Sequence, residues 1–192
     1  MATVIDERSR PGFGELYAIN ARAARELDAA VGRIRLGGIT LGKAELEALR
    51  RIRLLVGGMN ALAFGCDLEA LAVDPTRRAR LTFLTSMLEK RTLEVRVAPL
   101  AGWKPDFSIF RRSNDRKPGD GQILSAMIGP HWFERPYPHP GPALGVTLDG
   151  KEALVLADRF EETWEQGHDL RRPLLQMLKR GLQRVAPSVL AG

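Results

Sequence analysis

The chain has 192 residues, with 29 Lys and Arg against 23 Asp and Glu for a formal charge of +6, 44% apolar residues and a single cysteine. That is one domain's worth of chain, long enough to bury roughly 70% of its unfolded surface without disulfides or a structural metal. No charged-then-apolar leader opens the sequence and no apolar run approaches the roughly 18 residues of a membrane span, so the expectation is a soluble, cytoplasmic protein with no membrane contact.

Residues 1–14 mix charge, Pro and Gly without period and are expected to be a flexible arm. From Glu15 to Ala30, Leu16, Ile19, Ala23, Leu27 and Ala30 recur at spacings of three and four, which predicts an amphipathic helix ended by Gly32. Arg33 to Leu36 alternates basic and apolar residues, as a half-wet strand does. Lys43 to Arg50 carries strong helix formers, with Thr40 as a candidate cap, and Ile52 to Val56 is a short apolar run before Gly57 and Gly58 that suits a buried strand. Ala61 to Val73 is apolar without clear period and reads as a weak helix. Asp74 and Pro75 form an N-cap with proline at the first helical position, and Leu81, Leu84 and Leu88 line one face of the helix that follows.

Leu93 to Val97 alternates as a half-exposed strand, and Phe107 to Phe110 predicts another. A polar loop from Arg111 to Gln122 leads to the most apolar strand, Ile123 to Ile128. Residues 129–142, GPHWFERPYPHPGP, hold five prolines, more than a helix or a central strand tolerates. Ala143 to Leu148 returns as a strand, and Ala153, Leu156, Phe160 and Trp164 then place a helix on the core as far as Gly167. Arg171 to Val185 predicts a final basic helix before a frayed tail. The order implies an α/β fold, a mixed layered sheet of about six strands flanked by helices. The expected organisation is an arm over 1–14, a domain over 15–169, and a basic C-terminal helix and tail over 170–192.

The blocks RIRLGGITLGKAELEALR, LEVRVAPL, WKPDFSIF, ILSAMIGPHW and ALGVTLDGKEALVLADRFEETW, in that order across about residues 15–168, resemble a phospholipase D-like domain of the bacterial nuclease and helicase-associated type. The resemblance implies a phospholipase D-like layered fold and a histidine nucleophile paired with a phosphate-holding lysine, two such sets meeting across a dimer or pseudo-dimer. This chain departs from that pattern. It has no His-x-Lys; Lys104 stands at the place of the histidine and Asp106 at that of the lysine. An ammonium cannot act as the imidazole nucleophile, and a carboxylate repels the phosphate it should hold. Pro130 also replaces the small hydroxyl residue of the family. The expectation is a catalytically degenerate domain that acts by binding a nucleic-acid backbone or as an accessory subunit, with a defence or mobile-element assembly suggested by analogy with the family alone.

Two other classes stay open. A rebuilt phosphodiesterase or nuclease centre would draw on His131, His139, Glu134 and Arg135; against it, Trp132, Phe133 and Tyr137 suit simple packing of a proline-stiffened loop. A purely structural assembly subunit would use that loop as an interface with a protein partner or a second copy. No metal site is expected, since Cys66 has no partner at finger spacing, and no cofactor, since no Gly-x-Gly-x-x-Gly or Walker sequence occurs. His168 and Asp169 suit a helix C-terminus. Charge is segregated along the end of the chain: Arg171, Arg172, Lys179, Arg180 and Arg184 follow Leu170 with no acid among them, after an acidic helix over 152–169. Together with Lys104, Arg111 and Arg112 these cations are the candidate polyanion contacts, which could equally be a solvated surface paired with the acidic helix.

Overall fold

The computed structural model describes residues 2–6, 10–32, 41–57, 75–99, 106–112, 121–129 and 144–184. Within them the order is β1 (Ala2–Asp6), α1 (Phe13–Ala23), β2 (Glu26–Val31), α2 (Lys43–Ala48), β3 (Arg51–Val56), α3 (Pro75–Glu89), β4 (Leu93–Val97), β5 (Asp106–Arg111), β6 (Ile123–Ile128), β7 (Leu144–Leu148), α4 (Lys151–Gln166), β8 (His168–Asp169) and α5 (Arg171–Arg184). The described strands form one mixed sheet of eight in the order β1-β7-β6-β5-β2-β3-β4-β8. The sheet has more strands than the expected six or so: the edges β1, antiparallel to β7, and the two-residue β8, antiparallel to β4, are not predicted from the sequence, and neither is the central β2.

Alternation along each strand sends successive side chains to opposite faces, and each face has its own helical cover. On one side Leu27, Ala29, Ile52, Leu54, Val95 and Phe110 pack with Phe13, Tyr17, Leu46, Leu84, Leu88, Leu174 and Leu178 of α1, α2, α3 and α5. On the other, Ala30, Leu55, Phe107, Ile109 and Ala126 pack with Ala153, Ala157, Phe160 and Trp164 of α4. The α3 and α4 stripes are those their sequence spacings predict, because residues three and four apart share a helix face.

The expected helix over Glu15–Ala30 is corrected. The chain is helical only as far as Ala23, on a stripe of Phe13, Tyr17 and Ala21, while Ile19 faces solvent. Leu27 and Ala30 belong to β2, which pairs parallel with β3 and antiparallel with β5 and is buried at all six positions. A strand covered on both faces shows no alternation, so its spacing is compatible with a helix until its neighbours are known. Within the segment expected to be an arm, residues 2–6 pair with β7 through five register pairs from Ala2↔Leu148 to Asp6↔Leu144. In the basic terminal helix, Leu174 and Leu178 of α5 belong to the core. The expected strand at Arg33–Leu36 and weak helix at Ala61–Val73 lie outside the described residues.

Close packing on α1 requires two glycines. A Cβ on Gly145 of β7 would enter the Phe13 ring. Gly129, at the end of β6, has φ +151°, and a Cβ there would lie 3.1 Å from the same ring. Beneath α1, the Tyr17 hydroxyl is 2.9 Å from Ser108 Oγ, and Ser125 Oγ donates to Asn20 Oδ1 at 2.8 Å. Burial pushes the Tyr17 phenol pKa up, and the Ser108 hydrogen bond offsets part of that rise, so the phenol stays neutral.

Candidate nucleic-acid interface

Of the family-type positions, Asp106 is described: it begins β5, and its carbonyl accepts the Gly129 N–H at 3.0 Å. Lys104 and Pro130 lie outside the described residues, as do His131, Glu134, Arg135 and His139 of the alternative centre. Among the described residues no group of three His, Cys, Asp or Glu could hold a metal ion. No described helix is long and apolar enough to cross a membrane.

The C-terminal cations have different roles. Arg171 is half-buried and clamps the end of α3, donating from Nε to the Leu88 carbonyl at 2.8 Å and from Nη2 to that of Glu89 at 3.0 Å. These carbonyls lie in the last turn of a helix, where a cation also meets the negative end of the macrodipole. Lys179 pairs with Glu89 at 2.6 Å. Arg172 and Arg180 are exposed on α5, Arg112 is exposed after β5, and the Arg184 side chain is not described. His168 and Asp169 form β8 and do not cap α4; Asp169 Oδ1 instead accepts the Arg171 N–H at 2.8 Å at the start of α5.

Beside this helix start is a cleft of about 280 Å³ lined by Arg91, Glu94, Arg96, Asp169, Arg171 and Arg172. Arg96 is held in place: its guanidinium lies 4.7 Å from the Trp164 ring centroid, and its Nη1 donates to the Trp164 carbonyl at 2.7 Å. Glu94 is engaged by Arg51 at 2.9 Å. Arg91, in the turn between α3 and β4, is exposed and has φ +60°.

Arg111 does not reach solvent as a polyanion contact should. It is 5% exposed, and its Nε donates to Asp28 Oδ2 at 2.8 Å. Asp28, in the middle of the central strand, also takes a two-pronged contact from Arg53, Nε to Oδ1 at 2.6 Å and Nη2 to Oδ2 at 2.7 Å. Glu161 of α4 closes the group from above, accepting from Arg53 Nη1 at 2.7 Å. The Arg53 guanidinium also lies 4.9 Å from the Phe160 ring centroid. Burial works against the Arg53 charge, but hydrogen bonds to Glu161 and Asp28 outweigh it and hold its pKa above the ordinary value. Sequence reasoning missed this cluster. The available signal was a lone Asp inside an apolar run, with an arginine in each of two other strand segments.

No protein-family profile matches the sequence, and no curated protein is significantly similar to it. Solved structures are similar in fold. A phospholipase D family member, Nuc from Salmonella typhimurium, superposes with a TM-score of 0.52 at 9% identity, covering 88% of this chain and 97% of that one. Phosphatidylserine synthase from Haemophilus influenzae Rd KW20 superposes at 0.51 and 10% identity over 98% of this chain, which spans about half (47%) of that protein's length. The eight-stranded mixed sheet with helices on both faces is thus a phospholipase D-like fold.

Proposed function

We propose that this chain binds the phosphate backbone of nucleic acid without base specificity and does not carry out phospholipase D-type catalysis. The carrying observation is the surface of α5. Arg172 and Arg180 are exposed there, while the nearby acids Glu89 and Asp169 are already engaged by Lys179 and by the Arg171 N–H. Cations whose local acids are occupied attract an external polyanion, and each phosphate they neutralise releases counterions. Lys104 and Arg112 form a second contact region in this proposal, and Asp106 at the lysine position supports the absence of family chemistry.

The test is fluorescence anisotropy with labelled duplex and single-stranded oligonucleotides from 50 to 200 mM salt. Three to five phosphate contacts lower duplex affinity by roughly one and a half to three decades across that range. Substitution is the suitable perturbation, because removing α5 would uncover the core around Leu174 and Leu178. The double variant Arg172→Gln/Arg180→Gln is expected to flatten the log–log salt slope by about 1 to 2. No binding at 50 mM, or an unchanged slope in the double variant, refutes the proposal.

A second reading, assembly with a protein partner or another copy, is favoured by exposed apolar side chains at the opposite end of the sheet. Val4 and Ile128 are 71% and 38% exposed, and both stand in register with Val146. Light scattering on the purified chain decides it; a strict monomer at tens of micromolar with no co-purifying partner refutes it.

A further inference from the structure

We infer that the cleft between the α3–β4 turn and the start of α5 is a binding site for a phosphate monoester, supplied by the terminal phosphate of a nucleic-acid strand. The inference rests on the backbone-binding proposal and adds a defined end-recognition site to it.

Charge supports this ligand class. The lining holds four guanidiniums and two carboxylates, a surplus of two positive charges. A phosphate monoester carries about −1.5 to −2 at neutral pH, whereas a phosphodiester within a strand carries one charge. The monoester therefore brings the cleft close to neutrality. The two acids do not repel it at full strength, since Glu94 is paired with Arg51 and Asp169 accepts the N–H at the head of α5.

Geometry supports it as well. Arg96 is fixed against Trp164, and Arg171 is fixed on the carbonyls of Leu88 and Glu89, so two of the four guanidiniums are immobilised before any ligand arrives. Among the described residues these contacts leave Arg96 with Nε and Nη2, and Arg171 with Nη1, as uncommitted donors. Prior ordering lowers the entropy lost on binding. Arg91 and Arg172, both exposed, can then close over the anion. A guanidinium presents its donors in a planar fork suited to phosphate oxygens, which favours this class over a simple halide. The cleft lies at the β4–β8 edge, three strand spacings or about 14 Å from β5, where Asp106 marks the family-type position. It is thus separate from that position.

The experiment compares the full chain with single strands of one sequence ending in a 5′-phosphate, a 3′-phosphate or a hydroxyl, by anisotropy at 100 mM salt. At least one phosphorylated end is expected to bind about tenfold more tightly than the hydroxyl end, and inorganic phosphate at millimolar concentration should erase that preference. Arg91→Asn removes a cleft charge while keeping a residue type that tolerates positive φ, and is expected to bring the preference ratio near one. Equal binding of all three strands overturns the inference and leaves backbone binding standing. Binding of none of them overturns both. Calorimetric binding of inorganic phosphate without an end preference overturns the strand-end assignment, as does a preference that persists in Arg91→Asn.

Discussion

Replacing Asp28 by Asn tests whether the buried charge cluster holds the central strand to its neighbours. Asp28 accepts three charge-assisted hydrogen bonds, two from Arg53 and one from Arg111. The side chains are 2%, 4% and 6% exposed for Asp28, Arg53 and Arg111, so water cannot take over when the carboxylate is lost. The amide is nearly isosteric, but it turns one acceptor oxygen into a donor facing a guanidinium N–H. Arg53 and Arg111 then keep their contacts with Glu161, whose side chain is 39% exposed. Removing one partner from a buried ion pair costs about 3–5 kcal/mol. For a chain of this size each kcal/mol shifts the melting temperature by about 2–4 °C, so Asp28→Asn is expected to melt roughly 6–20 °C lower. Thermal unfolding followed by far-ultraviolet circular dichroism, with urea unfolding for the free energy, measures both quantities. Glu161→Gln serves as the contrast: at the solvent boundary it should cost only about 1 kcal/mol. A loss below about 1 kcal/mol in Asp28→Asn, or a larger loss in Glu161→Gln, refutes the reasoning.

The remaining predictions concern pH, packing and chemistry. The Arg22 hydrogen bond, at 3.0 Å from Nε and 2.8 Å from Nη2, holds the Glu45 carboxyl below its usual pKa, so its contribution is fully present above the unfolded value near 4.3 and disappears as pH falls through the folded value. Urea unfolding of wild type and Glu45→Gln should accordingly differ at pH 7 and converge as the pH falls through the folded value; a constant gap contradicts the linkage. Gly145→Ala should lose about 2–3 kcal/mol because its Cβ enters the ring of the buried Phe13, and combining it with Phe13→Leu should cost less than the sum of the two single changes; strict additivity would exclude that clash. Purified protein is expected not to turn over an aryl phosphodiester or cleave plasmid DNA, and turnover that disappears in His131→Ala or His139→Ala would establish the alternative centre.

Elements with one wet face were legible in the sequence. Leu93-Glu94-Val95-Arg96-Val97 alternates because β4 meets the core on the side of its apolar residues, and Ala153, Phe160 and Trp164 recur at helical spacings because α4 has a single buried stripe. Pro75 and the Leu81-Leu84-Leu88 face of α3 were equally plain. The separate role of each basic residue was not. Arg111 looks like the first residue of a polar loop, yet it is buried because Asp28 stands 83 residues earlier on the neighbouring strand; Arg171 in a basic run holds the end of α3 rather than facing outward. The same limit applies to β2, whose apolar spacing fits a helix and which is a strand because β3 and β5 accept its main-chain hydrogen bonds on either side. Local periodicity records which side of an element meets water, and so it determined the exposed helices and half-exposed strands. Whether an interior strand forms, and whether a charge is buried or free, depends on groups brought within 3 Å by strand pairing, and that was decided only by the tertiary structure.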